Sequence, residues 1–268
     1  MTKLEELKQI RLKPILIPPE HGIWGFTIEA MLLGIFLSEG ISKYFIAMMM
    51  ILLPFAKQNL KIFLQDVFAK RTFLRKYVAL FFLMLFGLVF LFLFYFAYSY
   101  ALYNFWYYII IGLILGIIVI LLEIKGFYQD ILTEILGSFI PVFFAISMNT
   151  TLENQIDHII FIWFVLGFRN ISSILITRKL VDFIKKNQIE NFFLLLFIFL
   201  VSILFFYFFL YIKLIYLYIF FGYLALYIVF YYLIQFKIIQ KAQQLGWLQI
   251  ALGIAYVSSI VYVKINLS

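Results

Sequence analysis

Three short stretches of this chain carry polar side chains at spacings that point to binding or proton chemistry. The first is Pro18-Pro19-Glu20-His21-Gly22-Ile23-Trp24-Gly25, followed by Glu29. The two prolines hold the backbone extended ahead of a helix, Glu20 complements the positive end of that helix, and Trp24 suits a membrane interface. A helix start does not explain His21 or Glu29. Eight residues place them about 80° apart on one broad helical face, and a carboxylate in mid-span is either functional or half of an ion pair. Glu20 and His21 are therefore ligand-binding candidates, and Glu29, His21 and Asp66 are the candidate catalytic groups.

The second stretch is Lys57-Gln58-Asn59-Leu60-Lys61-Ile62-Phe63-Leu64-Gln65-Asp66. Gln58, Lys61 and Gln65 fall at i, i+3 and i+7 and share one stripe, with Asn59 and Asp66 on the adjacent line. Pro54, one turn earlier, predicts a kink. So dense a polar stripe at the edge of an apolar helix is expected to line a polar cavity. The third stretch, Phe168 to Lys179, repeats polar groups at i, i+4 and i+8 as Arg169, Ser173 and Thr177, with Arg178 nearer the end. An arginine this deep needs an anionic partner, either a carboxylate or a ligand. Glu134 in Glu134-Ile135-Leu136-Gly137 is the first expected partner and Glu29 the second, with Gly137 permitting close helix approach.

Several chemistries are excluded by what is missing. There is no Gly-rich phosphate loop, HExxH, nucleophile elbow or zinc pattern. The chain has no cysteine, so disulfides and thiolate chemistry are absent. Its two histidines, His21 and His158, are expected on opposite faces of a membrane, which disfavours a His-based metal or haem site. The net charge of +8 does not read as nucleic-acid binding, because the charges cluster at short intervals between apolar runs.

The elements that must position these groups are membrane helices. Of 268 residues 66% are apolar and 13% charged, against roughly 45–50% and about 25% in soluble domains, and the mean hydropathy is +1.08. One core cannot hide that much apolar side chain from water, so the bilayer is the solvent. The predicted class is all-α, a single integral membrane domain over 1–268 whose residues 1–20 form a cytoplasmic segment rather than a cleavable signal. Nine spans are predicted near 23–38, 44–65, 77–97, 105–122, 131–148, 158–177, 192–212, 214–236 and 245–263. The seventh and eighth run together except at Lys213, where a turn is required. With the N-terminus inside, 18 of the 21 basic residues fall in cytoplasmic segments and only Lys43, Lys213 and Lys264 outside. That asymmetry requires an odd number of spans and predicts a cytoplasmic N-terminus and an external C-terminus.

Pro-Glu-His-Gly-x-Trp at 19–24 resembles the opening of the YwiC-like family of bacterial membrane proteins. Glu29, Phe55-Ala56-Lys57-Gln58 with Leu60-Lys61, Glu134-x-x-Gly137, Arg169 with Arg178, and Gly246-Trp247 are similar to further positions of that family. Ala30 and Asn59 stand where it has proline, and Gln249 where it has Glu. A more distant resemblance is to the UbiA fold of intramembrane prenyltransferases. It implies nine helices and two cytoplasmic Asp-rich loops, after helices two and six, that hold magnesium and a prenyl diphosphate. Only Asp66 remains of the first loop, and Arg169 to Lys179 contains no acid, so magnesium is disfavoured and no cofactor is expected.

These readings converge on a multi-pass protein of the inner (cytoplasmic) membrane with a UbiA-like bundle. Its central cavity is expected to open to the cytoplasm, lined by Glu29, Gln58, Lys61, Asp66, Glu134 and Arg169, with Gln65, Ser173 and Arg178 nearby. The expected ligand is an isoprenoid or lipid phosphate, its anionic head neutralised by Arg and Lys and its tail held by Phe-rich walls. An enzymatic role would be a UbiA-like transfer without the metal, and the sequence leaves it open. The alternatives are a secondary transporter of a small anionic or amphipathic solute, which should show paired broken helices, and a non-catalytic assembly factor. The bilayer is the one expected partner, with protein partners unspecified and nucleic acid excluded.

Overall fold

Inside a bilayer each backbone N–H and C=O must find its partner within its own segment, and a helix does this without neighbours. The computed structural model describes residues 21–69, 73–100, 106–127, 130–148, 155–186, 192–210 and 214–267. Among these described residues there are nine α-helices: α1 His21–Leu37, α2 Ser42–Phe68, α3 Phe73–Ser99, α4 Trp106–Leu122, α5 Ile131–Met148, α6 Gln155–Lys186, α7 Phe192–Leu210, α8 Leu214–Gln235 and α9 Ala242–Leu267. Past Leu122, residues Glu123–Phe127 carry α4 into a kink at Gly126, whose φ of 98° is not helical. Every predicted apolar segment coincides with a helix. The turn expected near Lys213 falls outside the described residues.

Seven of these helices, all but α1 and α7, are long and apolar enough to cross a membrane, and the apolar stretches Ile23–Leu37 and Leu195–Leu204 are shorter. The protein is an all-α, multi-pass membrane protein. Its outward faces agree: α3 exposes Phe81, Met84, Leu88, Phe92 and Tyr95, side chains that water would not tolerate in such a row.

The chain forms two compact units, one up to Phe164 and one from Val165. In the first, α2 packs most extensively on α3, α4 on α5, and α1 on both α5 and α2. Small residues set the approach. A Cβ at Gly34 would meet Met148 Sδ and the Ala145 backbone, and one at Gly112 would lie 3.0 Å from the Phe144 ring. Trp24, expected as an interfacial anchor, is half-buried and packs edge-on against Phe55 of α2 at 5.2 Å between centroids. Helix α2 runs through Pro54 and α5 through Pro141 without a break.

In the second unit α8 packs against both α7 and α9. The part of α6 in this unit is held by aromatic edges, Phe168 against Phe199 and Phe220. It is also held by the Tyr256 hydroxyl, which donates to the Val165 carbonyl at 3.2 Å.

Candidate functional site

The polar stretch on α2 sorts its residues by burial. Asn59 and Asp66 are fully buried, whereas Gln58, Lys61 and Gln65 are half-buried. The inner line of the helix is therefore Asn59–Ile62–Asp66, on the side where Ile62 packs with Ala79, Val78 and Phe82 of α3. Asn59 Nδ2 donates to the Phe55 carbonyl at 2.8 Å. Asp66 sits 3.6 Å from Arg75 Nε of α3, so it joins two helices. Asp66, expected as a cavity group, is placed here against Arg75.

The cavity that the structure describes in the first unit lies one position round the helix. It measures about 140 Å³ and is walled by Ile23 and Thr27 of α1, Leu53, Pro54, Ala56, Lys57 and Leu60 of α2, and Leu83 of α3. Gly112, Leu113, Gly116, Ile117 and Ile120 of α4 and Gly137, Ile140 and Pro141 of α5 complete it. Lys57 is its one charged lining residue. One residue is 100° of helix rotation, which turns Gln58 and Gln65 out of this wall. The three glycines leave the room that side chains would fill. Pro141 has no N–H to return to the carbonyl of Gly137 one turn earlier, so the apolar wall contains a backbone acceptor outside the usual helical ladder.

At the charged end stands an ion triad absent from the sequence reading. Lys57 Nζ is 2.6 Å from Glu123 Oε1, and Lys61 Nζ is 2.6 Å from Glu123 Oε2. The Glu123 side chain is 6% exposed and each lysine side chain 17%, so the three charges are largely desolvated. Glu123 is placed there by the end of α4, one residue past Leu122 and facing α2. The signal in the sequence was the i, i+4 lysine pair, which shares one face and needs an anion when withdrawn from water. Nothing in local spacing says that the anion comes from sixty residues further on.

Glu29 is fully buried in α1. Glu134 is exposed, in the first turn of α5, on the helical line that continues through Gly137 and Pro141. Glu20 and the side chain of His21 lie outside the described residues.

The third stretch belongs to the second unit and forms a network of its own. Arg169 is 2% exposed while Arg178 is half-buried. Within this unit the guanidinium Nη2 donates to the Gln249 carbonyl at 3.1 Å and lies over the Tyr223 ring at 5.8 Å. The Ser173–Thr177 line receives the Gln249 amide, whose Nε2 donates to Ser173 Oγ at 3.0 Å and to the Thr177 hydroxyl. The Tyr223 hydroxyl bonds the Arg169 carbonyl at 3.3 Å and the Tyr227 hydroxyl at 2.8 Å. The stripe at i, i+4 and i+8 is thus real, and what it recognises in its own unit is α9. Tyr223 and Tyr227 went unread because a tyrosine inside an apolar run looks like lipid-facing filler.

Magnesium would need several oxygen ligands in one place. Among the described residues no three His, Asp or Glu side chains come together, and Asp66 faces Arg75. No family model, curated protein or solved structure matches the chain.

Proposed function

We propose that this protein binds an amphipathic molecule with an anionic head, an isoprenoid or lipid phosphate, in the cavity of its first unit. The observation that carries the reading is a single juxtaposition. An apolar cavity of about 140 Å³ has Lys57 in its wall, and Lys57 shares the largely desolvated Glu123 carboxylate with Lys61. An apolar cavity of roughly 150 Å³ holds a benzene-sized group, so this one takes the chain segment next to the head while the rest of the tail remains among apolar surfaces. Lys57 and Lys61 bind the head; Glu29, Glu134 and Arg178 are not needed for that contact. All nine helices are read as spans of the inner membrane with the N-terminus in the cytoplasm, as the 18-to-3 distribution of basic residues favours. The head-group end then faces the cytoplasm. The reading is one of binding; transfer chemistry would require a further group. The transporter alternative rests on broken helices, and α2 and α5 pass through their prolines intact.

The test is equilibrium binding to the purified protein in lipid nanodiscs, with geranyl phosphate and geraniol as probes. Geranyl phosphate should bind saturably and about tenfold or more tighter than geraniol, since hydrogen bonds to charged groups contribute about 1.5–3 kcal/mol. A chelator should leave that affinity unchanged. Equal affinity for the two probes, or loss of binding on chelation, overturns the proposal.

A further inference from the structure

A helix that ends on a left-handed residue usually places glycine there, sometimes asparagine, because a Cβ crowds that conformation. Helix α8 ends instead on Lys237 at φ 59°, the one non-glycine residue with positive φ among the described residues. The ending is a Schellman motif, in which the Ile238 N–H donates to the Leu233 carbonyl and the Lys237 N–H to the Ile234 carbonyl, both at 2.9 Å. Gln240 Nε2 donates to the Lys237 carbonyl at 2.9 Å, and Gln244 Oε1 accepts from the Gln240 and Lys241 N–H groups at 3.0 and 3.1 Å. The turn between α8 and α9 thus ties its backbone together from within and holds Lys237 in a conformation that glycine adopts more easily. What lysine adds at this position is a cation.

We infer that this turn anchors a lipid headgroup: Lys237 and Lys241 hold the phosphate of an anionic phospholipid, and Phe236 and Ile238 enter the acyl boundary beside it. The inference is independent of the cavity in the first unit and needs only that α8 and α9 cross the membrane, for which both are long and apolar enough.

The apolar side chains of the turn are divided between inside and outside. Ile239 is buried, whereas Phe236 and Ile238, on either side of Lys237, are 72% and 63% exposed. Phe236 stacks on Tyr232, itself exposed in the last turn of α8, at 6.5 Å between centroids. Aromatic rings and lysine stems sit in this way where a spanning helix leaves the hydrocarbon. The cations, for their part, have no acid. No Asp or Glu follows Glu190 in the chain, and among the described residues neither Lys237 nor Lys241 makes an ion pair. Water would accept the two ammoniums and reject the Phe and Ile between them. A phospholipid satisfies both, with a phosphate for the ammoniums and acyl carbons for the apolar side chains. The attraction to an anionic leaflet distinguishes its lipids from zwitterionic ones.

The chain has no cysteine, so Gln235→Cys, at the exposed last residue of α8, carries a single bimane label beside the turn. The labelled full chain is placed in equimolar vesicles of phosphatidylglycerol and phosphatidylcholine, with one lipid or the other brominated, and quenching reads which lipid lies at the label. Phosphatidylglycerol should be enriched about fivefold or more, and high salt should reduce that enrichment. Lys237→Gly in the same background should lose most of the enrichment and shift the melting temperature upward, because the left-handed backbone is relieved. Lys237→Arg should keep the enrichment. No enrichment in the parent, or a Lys237→Gly variant that keeps it or melts no higher, overturns the inference. So does loss of the enrichment when inorganic phosphate is added at constant ionic strength, which would identify a free-ion site. A label that neither brominated lipid quenches would show the turn covered by protein, and the lipid anchor would be wrong.

Discussion

Burial makes a polar side chain depend on its particular partners, and the tyrosine pair of α8 shows how. Tyr227 is fully buried, and its hydroxyl meets that of Tyr223 at 2.8 Å. Deleting one hydroxyl leaves the other without its tyrosine partner, whereas deleting both removes the need. Tyr223→Phe should therefore lower stability by about 1–3 kcal/mol, and Tyr223→Phe/Tyr227→Phe should recover part of that loss. Unfolding by sodium dodecyl sulfate titration in mixed micelles reads both, and a double variant that loses the sum of the two singles would show that the hydroxyls act independently. The same dependence explains what could be read from the chain at this scale. Arg169, Ser173 and Thr177 were identifiable because their spacing is local and their types are out of place in an apolar helix. Glu123 and Tyr223 were not, because each meets its partner on another helix. A sequence displays the residues that need partners far more readily than it displays the partners themselves.

Helices carried the most legible information, and their contacts the least. Long apolar runs fix the existence of each helix because no other structure satisfies a backbone in lipid, so nine predicted segments found nine helices among the described residues. Which face of each helix turns inward was hidden, because helices apolar all round carry little amphipathic signal. Glycines mark the difference in this chain. Gly112 faces the fully buried Phe144, whose ring a new Cβ would meet at 3.0 Å, while Gly87 of α3 has nothing within 4 Å. Gly112→Ala should cost about 1–3 kcal/mol by overpacking the α4–α5 contact. Gly87→Ala should gain about 0.5–1 kcal/mol, because only the helix-interior penalty of glycine is removed. Thermal melting of the two variants in one detergent gives the comparison; a loss at Gly87 equal to that at Gly112 would mean that α3 has a close neighbour on its glycine face.

For the whole molecule, the arrangement of charge along the chain makes the strongest claim. Eighteen of the 21 basic residues lie in the tail and the alternate connections that share its side, and this holds only if the chain crosses an odd number of times. Seven helices meet the requirement of length and apolarity by themselves, and α1 and α7 are the two on which the count turns. Seven and nine are both odd, so either count would put the C-terminus opposite the N-terminus. The position of Lys185, in the last turn of α6, separates them. If α1 crosses, six spans precede Lys185 and it lies in the cytoplasm with the basic run Arg178, Lys179, Lys185 and Lys186. If α1 only lies along the interface, five spans precede it and that run is placed outside, against the charge rule. The head-group end of the cavity depends on the same count, because Lys57 and Lys61 sit near the end of α2 and reach the cytoplasm only when α1 has already crossed. Reporter fusions made after Lys185 and after Ser268 should accordingly report opposite sides, Lys185 with the cytoplasm and Ser268 outside. Both reporters on one side, or Lys185 outside, would remove the nine-span topology and with it the cytoplasmic access of the proposed ligand site.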